Sequence, residues 1–266
     1  MPATTPGHIV ITGASGGLGA ALAHHYASNN SATLGLIARR LTELEQLARQ
    51  FPGRCAVHAA DVRDSVAMRD AATEFIRQHG VPDVIIANAG VSIGTVTELA
   101  EDEQAFRDVF DINVIGMVNT FQPYIAAMRE RGRGVLVGIA SVAGYRGLPG
   151  SGAYSASKAA AISYLESLRV ELRGSGITVI TICPGYIVTA MTAHNPYRMR
   201  FIMTAEKAAA KIAAIIAQHK TYAVIPWQMA IVARLMHVLP RFIYDPLAAK
   251  SGRKPRREQD SPEKPT

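Results

Sequence analysis

The chain has 266 residues, of which 48% are hydrophobic and 18% charged, and its formal net charge is +7. That length accommodates one large α/β domain with a well-buried core rather than two typical domains, and the composition excludes a largely disordered chain. Residues 250–266 hold six basic and three acidic side chains and the remaining charge is spread thinly, so no basic face or nucleic-acid module stands out and no nucleic-acid partner is expected.

Residues 1–7 carry neither a charged nor an apolar leader region, so no secretory signal is expected. No uncharged apolar run reaches the roughly 18 residues of a spanning helix. His8–Thr12 is a short buried-strand run, closed by the glycine cluster Gly13-Ala14-Ser15-Gly16-Gly17-Leu18-Gly19, and Ala20–Ser28 reads as a helix. Thr33–Ala38 is a second strand, followed by a helix over Leu41–Phe51. Cys55–Asp61 is a third strand, with a helix over about Ser65–His79, and Val84–Gly90 a fourth. A long helical stretch runs from about Asp102 toward Arg131, with a break predicted near Gly116. The fifth strand ends at Ser141, and a helix opening near Ser151 continues to about Arg173. Thr178–Cys183 is the sixth strand, stopped by Pro184-Gly185. A helix over Ala205–Gln218 precedes the last strand, Tyr222–Pro226.

Seven apolar strands alternating with helices, without polar alternation inside the strands, predict an α/β fold. The expected architecture is a single Rossmann-type doubly wound domain, a seven-stranded parallel sheet with helices on both faces and right-handed crossovers. It spans 1–226, with a lid at about 190–203. An apolar helical extension follows at 227–249, and then a basic tail, 250–266, whose Lys, Arg, Pro and Glu content predicts disorder. Cys55 and Cys183 lie far apart in apolar strand contexts and match no metal spacing, so both are expected to be reduced, buried and inert. The eight histidines show no ligand spacing either, and no metal is expected.

The glycine cluster sits between a strand and a helix. Backbone approaches a pyrophosphate closely only where Cβ is missing, and a helix N-terminus supplies N–H groups and partial positive charge. Taken alone, the same turn could be a tight packing corner. Near the end of the second strand, where an NAD site should carry Asp or Glu for the ribose 2′-OH, the chain reads Ile37-Ala38-Arg39-Arg40. Guanidinium groups suit a 2′-phosphate, which predicts NADP(H) in preference to NAD(H), with Arg39 the main contact and Arg40 a helper. The other reading is that both arginines open a solvated helix face.

Tyr154 and Lys158 lie four positions apart in Ser151-Gly152-Ala153-Tyr154-Ser155-Ala156-Ser157-Lys158, on one helix face and one turn apart. An ammonium beside a phenol favours the phenolate and lowers the tyrosine pKa toward the range of a general acid/base. Ser141, ending the run Gly134–Ala140, places a hydroxyl where it can hydrogen-bond the carbonyl that the tyrosine protonates.

The Thr12-Gly13-x-x-x-Gly17-x-Gly19 turn, Asn88-Ala89-Gly90, Ser141 and Tyr154-x-x-x-Lys158, in this order, resemble the short-chain dehydrogenase/reductase family over roughly residues 8–226. The resemblance implies a catalytic tetrad of Asn113, Ser141, Tyr154 and Lys158. Tyr154 would protonate the substrate oxygen and Ser141 would polarise it. Lys158 would lower the Tyr154 pKa and bind the nicotinamide ribose, and Asn113 would hold a water linking Lys158 to solvent. The implied cofactor contacts are Gly13, Ser15, Gly16, Gly17, Leu18 and Gly19 in the turn, and Arg39 and Arg40 after the second strand. Further implied contacts are Asp61 and Val62 at the adenine, Asn88, Ala89 and Gly90, Tyr154 and Lys158 themselves, and Pro184, Gly185, Ile187 and Thr189 over the nicotinamide. Family members are often homodimers or homotetramers, joined through the Tyr/Lys helix and the long helix before it.

The lid carries Met191, Tyr197, Met199, Phe201, Ile202 and Met203, which suit an irregular apolar ligand or pack the lid onto the body. Arg198 and Arg200 meet an anionic group or are solvated. Residues 227–249, with Trp227, Tyr244 and a basic tail, form an interfacial helix at a membrane surface, a closure of the substrate pocket or a subunit contact. The expected activity is that of a cytoplasmic oxidoreductase acting on CH–OH groups: an NADPH-dependent carbonyl reductase or alcohol dehydrogenase for a hydrophobic, lipid-like ketone, with peripheral contact at the inner membrane face as one option. The rivals are a 3-oxoacyl-carrier reductase, a reductase of small xenobiotic carbonyls, and an NADP(H)-binding regulatory protein without turnover.

Overall fold

A computed structural model describes residues 7–29, 32–193, 195, 198–250 and 252–256. Its centre is a seven-stranded sheet whose neighbouring strands all pair in parallel. In chain order the elements are β1 (His8–Thr12), α1 (Gly17–Asn29), β2 (Thr33–Ala38), α2 (Leu41–Ala48), β3 (Cys55–Ala59), α3 (Ser65–His79), β4 (Val84–Ala87), α4 (Glu103–Phe110), α5 (Gly116–Arg131), β5 (Gly134–Ile139), α6 (Gly152–Glu171), β6 (Ile177–Pro184), β7 (Ile187–Val188), α7 (Ala190–Ala193), β8 (Met203–Thr204), α8 (Ala205–Ala217), β9 (Tyr222–Ile225), α9 (Trp227–Val238) and α10 (Arg241–Ala249).

The apolar strand runs are buried because both faces of the sheet are covered. Ile9 and Ile11 face one core with Leu22, Leu44 and Ile212, from α1, α2 and α8. Val10 between them faces the other, with Phe75, Phe121 and Leu165 from α3, α5 and α6. β4 divides in the same way, Val84 and Ile86 against Ile85 and Ala87. This two-residue alternation sorts one continuous hydrophobic run onto two cores.

The strand order β3-β2-β1-β4-β5-β6-β9 grows outward in both directions from the β1/β4 pair. Loops leaving the carboxyl ends of β1 and β4 therefore diverge and leave a crevice between them, the position where open parallel sheets take ligands.

The break expected near Gly116 has a different form. α4 passes into α5 through a π-helical turn, Asp111–Ile115, without interruption, and such turns concentrate at functional sites. β7 and β8 pair in parallel at the base of the lid, Ile187 with Met203 and Val188 with Thr204. α9 buries Met229 and Ala233 against Val142. Its last turn is held by Arg146, whose Nη1 donates to the carbonyls of Met236 at 2.9 Å and Leu239 at 2.8 Å.

Of the tail expected to be disordered, residues 252–256 lie instead against the body, and 257–266 lie outside the described residues. The Gly94 amide donates to the Pro255 carbonyl at 2.9 Å, and Arg256 forks onto Asp102. The buried carboxylate of Asp102 recruits a basic residue 154 positions away, a partnership that composition does not reveal. No helix among the described residues is long and apolar enough to cross a membrane.

Candidate active site

The turn after β1 is shaped for close approach. Gly13 and Gly17 have φ of 68° and 54°, in the left-handed region where only glycine sits without strain. A Cβ on Gly19 would lie 2.2 Å from the Gly13 carbonyl oxygen. Thr12 knits β1 to β4: its Oγ1 accepts from the amides of Asn88 and Ala89, and Asn88 Nδ2 donates to the Thr12 carbonyl at 3.0 Å. Thr12 is absent from the predicted contacts, although its place directly before Gly13 is the signal that marks it.

α1 begins at Gly17 with no acidic side chain in its first turn, and its first residues, Gly17 and Leu18, line the cleft. Arg40 braces that loop, its Nη2 donating to Ser15 O and Oγ at 3.2 Å each while Nη1 pairs with Glu43. Arg39 is well exposed, 4.0 Å from Asp61. Asp61 is held by Arg63 at 2.8 Å, whose hydrogen bonds keep the carboxyl below the usual carboxylate range.

The catalytic candidates gather where β4, β5 and α6 meet. Ser141 is buried directly after β5, and Tyr154 and Lys158 come from the first turns of α6. Lys158 Nζ donates to the Ile139 carbonyl at 2.9 Å and lies 5.8 Å from the centre of the Tyr154 ring. Ser141 Oγ accepts from the Ala143 amide at 3.1 Å, and its hydroxyl lies where it favours the ionised form of Tyr154.

The expectation that Lys158 lowers the Tyr154 pKa does not hold in this geometry. Burial pushes the Tyr154 hydroxyl above the ordinary tyrosine value, and the Ser141 hydroxyl is the influence that opposes it. The same burial lowers Lys158 to about 8. Desolvation penalises the charged form of each group and is the largest influence on both.

Asn113 stands in the π turn. Its Oδ1 accepts from the Val91 amide at 2.8 Å, and its Nδ2 donates to the Val91 carbonyl and to Ser157 Oγ at 3.0 Å each. The side chain thus joins the loop after β4 to α6. It lies beside Gly90, where a Cβ would sit 3.1 Å from Asn113 Oδ1 and 3.6 Å from Lys158 Nζ.

One cleft of about 880 Å³ runs along these groups. Every predicted site residue lines it except Gly19, which packs behind the turn, and Asn113, which lies behind Gly90. Beyond Tyr154 the lining becomes apolar, with Leu148, Val142, Met229, Val232 and Met236. The lid divides its side chains. Met191 and Phe201 face the cleft, whereas Met203 packs in the core, and Arg198 and Arg200 line the rim. Tyr197 lies outside the described residues. Lys254, from the C-terminal segment, also lines the cleft. Sequence reasoning missed it together with Met229 and Met236, because none belongs to a motif.

A glycine-cradled crevice at the switch point of a parallel sheet, lined also by a serine, a tyrosine and a lysine, defines an oxidoreductase site of the dinucleotide-binding type. The family model for short chain dehydrogenases matches residues 7–199, and the chain belongs to that family. An uncharacterized oxidoreductase of Myxococcus xanthus is 37% identical over 245 residues, covering 91% of this chain and 96% of its own. A 3-ketodihydrosphingosine reductase of Bacteroides thetaiotaomicron is 33% identical over 187 residues, covering 70% of this chain and 66% of its own. A short chain dehydrogenase of Burkholderia cenocepacia, solved in complex with NADP, aligns with a TM-score of 0.80 over 92% of this chain and 98% of its own. At 22% identity that likeness is one of fold.

Proposed function

We propose that the protein is an NADPH-dependent carbonyl reductase, or in reverse an alcohol dehydrogenase, for a hydrophobic ketone. The observation that carries the reading is the meeting of Ser141, Tyr154 and Lys158 midway along a cleft that is glycine-lined and cationic at one end and apolar at the other.

The residues present fit a 2′-phosphorylated dinucleotide. Gly13, Ser15, Gly16 and Gly17 would hold the pyrophosphate with the N-terminus of α1. Arg39 and Arg40, with no acid at the end of β2, would take the 2′-phosphate, and Asp61 and Val62 would meet the adenine. Lys158 would bind the nicotinamide ribose, with Asn88, Ala89 and Gly90 beneath it and Pro184, Gly185, Ile187 and Thr189 above. When bound, NADPH supplies the hydride. Tyr154 gives the carbonyl oxygen its proton, and the raised pKa of its hydroxyl keeps that proton in place across the neutral range. Ser141 donates a hydrogen bond to the same oxygen. Lys158, poised near 8, can hand a proton on from solvent. Asn113 positions α6 through Ser157. The NADP carried by the Burkholderia structure supports the cofactor assignment. The Bacteroides relative's name, with its long-chain ketone, supports the substrate class.

Two further features belong to the same reading. The outer face of α9 and α10 exposes Trp227, Ile231, Leu235, Val238, Phe242 and Leu247 beside Arg234, Arg241 and Lys250, which favours peripheral contact with an anionic membrane surface. Phe106, Ile115 and Val170 are exposed on α4, the π turn and α6, which favours self-association of the protein through these helices.

The test is NADPH oxidation, with NADH alongside, over ketones graded from small and polar to long-chain, with Tyr154→Phe as the blank. Turnover that rises with apolar size and requires NADPH supports the reading. Cofactor binding without turnover of any ketone moves a regulatory role to the front.

A further inference from the structure

We propose that residues 252–256 form a strap completing the substrate half of the cleft, and that Lys254 on this strap binds a carboxylate carried by the carbonyl substrate. The inference rests on the reductase reading and narrows its substrate to apolar oxo acids.

The strap has a prepared seat. Gly94 forms a parallel bridge with Arg256 and donates to the Pro255 carbonyl. A Cβ on Gly94 would lie 2.3 Å from the Lys254 carbonyl oxygen and 2.6 Å from that of Pro255, so only glycine lets the strap in. Arg256 donates from Nε to both Asp102 oxygens, at 2.8 and 3.0 Å, and from Nη2 at 2.9 Å. The Asp102 side chain is 9% exposed, and its Oδ2 also accepts from the Val96 amide at 2.7 Å. A bidentate guanidinium on a buried, already oriented carboxylate fixes the chain in place.

This seat delivers the residue two positions earlier. Lys254 lines the cleft half-buried, with Nζ 5.8 Å from the centre of the Tyr154 ring. Nζ makes no hydrogen bond or ion pair with any described residue. The ring face offers a cation–π contact, which leaves the three ammonium donors unmet. Burial lowers this lysine to about 8, the mark of an uncompensated charge. Among the described residues, Asp61 is the single acidic residue lining the cleft, and it is held by Arg63 at the adenine end. From the lid, Arg198 and Arg200 add positive charge to the substrate rim. A carboxylate close to the reacting carbonyl would satisfy Lys254, while Leu148, Met229 and Met236 cover the apolar remainder.

The deciding experiment compares benzoylformate and benzoylpropionate with their methyl esters, in the wild type, Lys254→Met and Gly94→Val. The acid-to-ester ratio of kcat/KM is expected to fall about tenfold in Lys254→Met, the order of one lost charge-assisted hydrogen bond. Gly94→Val, which unseats the strap without touching the lysine, should move the ratio the same way. In the wild type the ratio should fall as pH rises through about 8 and the ammonium is lost; in Lys254→Met this dependence should be absent. Titration calorimetry of the NADP⁺-loaded protein reads acid and ester binding directly. If neither these compounds nor any of the graded ketones is turned over, the reductase reading fails, while the calorimetry still decides on Lys254. Acid binding that is no tighter than ester binding in the wild type, or a ratio unmoved by Lys254→Met, overturns the proposal.

Discussion

Asn113 donates to Ser157 Oγ at 3.0 Å, tying the π turn to the helix that carries Tyr154 and Lys158. The same carboxamide holds both backbone groups of Val91. Asn113→Ala leaves these buried groups unpaired, at about 1–3 kcal/mol. The expected result is a lowered denaturant midpoint together with a fall in kcat larger than any change in KM. A stability loss with kcat intact would limit Asn113 to a structural role.

In the proposed reaction, Tyr154→Phe removes the proton donor and leaves the ring that lines the cleft. Turnover should fall by about two to four orders of magnitude, the usual share of a general acid. Binding of NADPH, followed by its fluorescence, should stay within a few-fold of the wild type.

Arg39→Asp places an acid where a ribose 2′-OH would need one. The NADPH-to-NADH ratio of kcat/KM should drop by about 10- to 100-fold, the range for one charge-assisted contact to phosphate. Arg40→Ala should weaken both cofactors, because Arg40 also braces Ser15. A ratio unchanged by Arg39→Asp would return both arginines to a solvated helix face.

Lys158 gives stability a pH dependence of definite sign. Its folded value is about 8, against 10.5 for an ordinary lysine. Below pH 8 both folded and unfolded chains carry the charge, and the folded state bears the full cost of burying it. Between 8 and 10.5 the unfolded chain binds the proton that the folded chain has lost, so this group makes stability rise with pH. Above 10.5 the cost is gone. Denaturant midpoints of the wild type, measured relative to Lys158→Met, should therefore climb through that window; a flat or falling difference contradicts the assignment.

Replacing Trp227 and Leu235 together by Ser should abolish flotation with anionic vesicles and leave NADPH oxidation on a water-soluble ketone in place, since both side chains point away from the cleft. Equal flotation of wild type and variant would remove the membrane contact from the reading.

The sheet was legible because parallel strands buried on both faces must be apolar at their centres, and Ile9–Ile11, Val84–Ala87 and Gly134–Ile139 each read that way. The glycine turn and Tyr154-x-x-x-Lys158 were legible because their chemistry needs fixed local spacings. The π turn at Asp111–Ile115 was not, because a shifted hydrogen-bond register leaves no mark on composition. Spacing placed Lys158 near Tyr154 but could not weigh attraction against desolvation, and burial decided that balance. The strap was read as disordered from its Lys, Arg and Pro content. What seats it is the buried carboxylate of Asp102, together with the backbone of Gly94, both far away in the chain. Within the lid, Met191 and Met203 looked alike, and the β7–β8 pairing sends one to the cleft and the other to the core.

Part of the apolar end of the cleft comes from the last stretch of the chain: Met229, Val232 and Met236 on α9, with Lys254 on the strap. The cofactor loop and the tyrosine–lysine pair all lie within residues 7–199. Chemistry and selectivity are thus written in consecutive stretches of one polypeptide. A chimaera joining residues 1–226 to the corresponding C-terminal segment of a relative would inherit the reaction from one parent and the choice of molecule from the other.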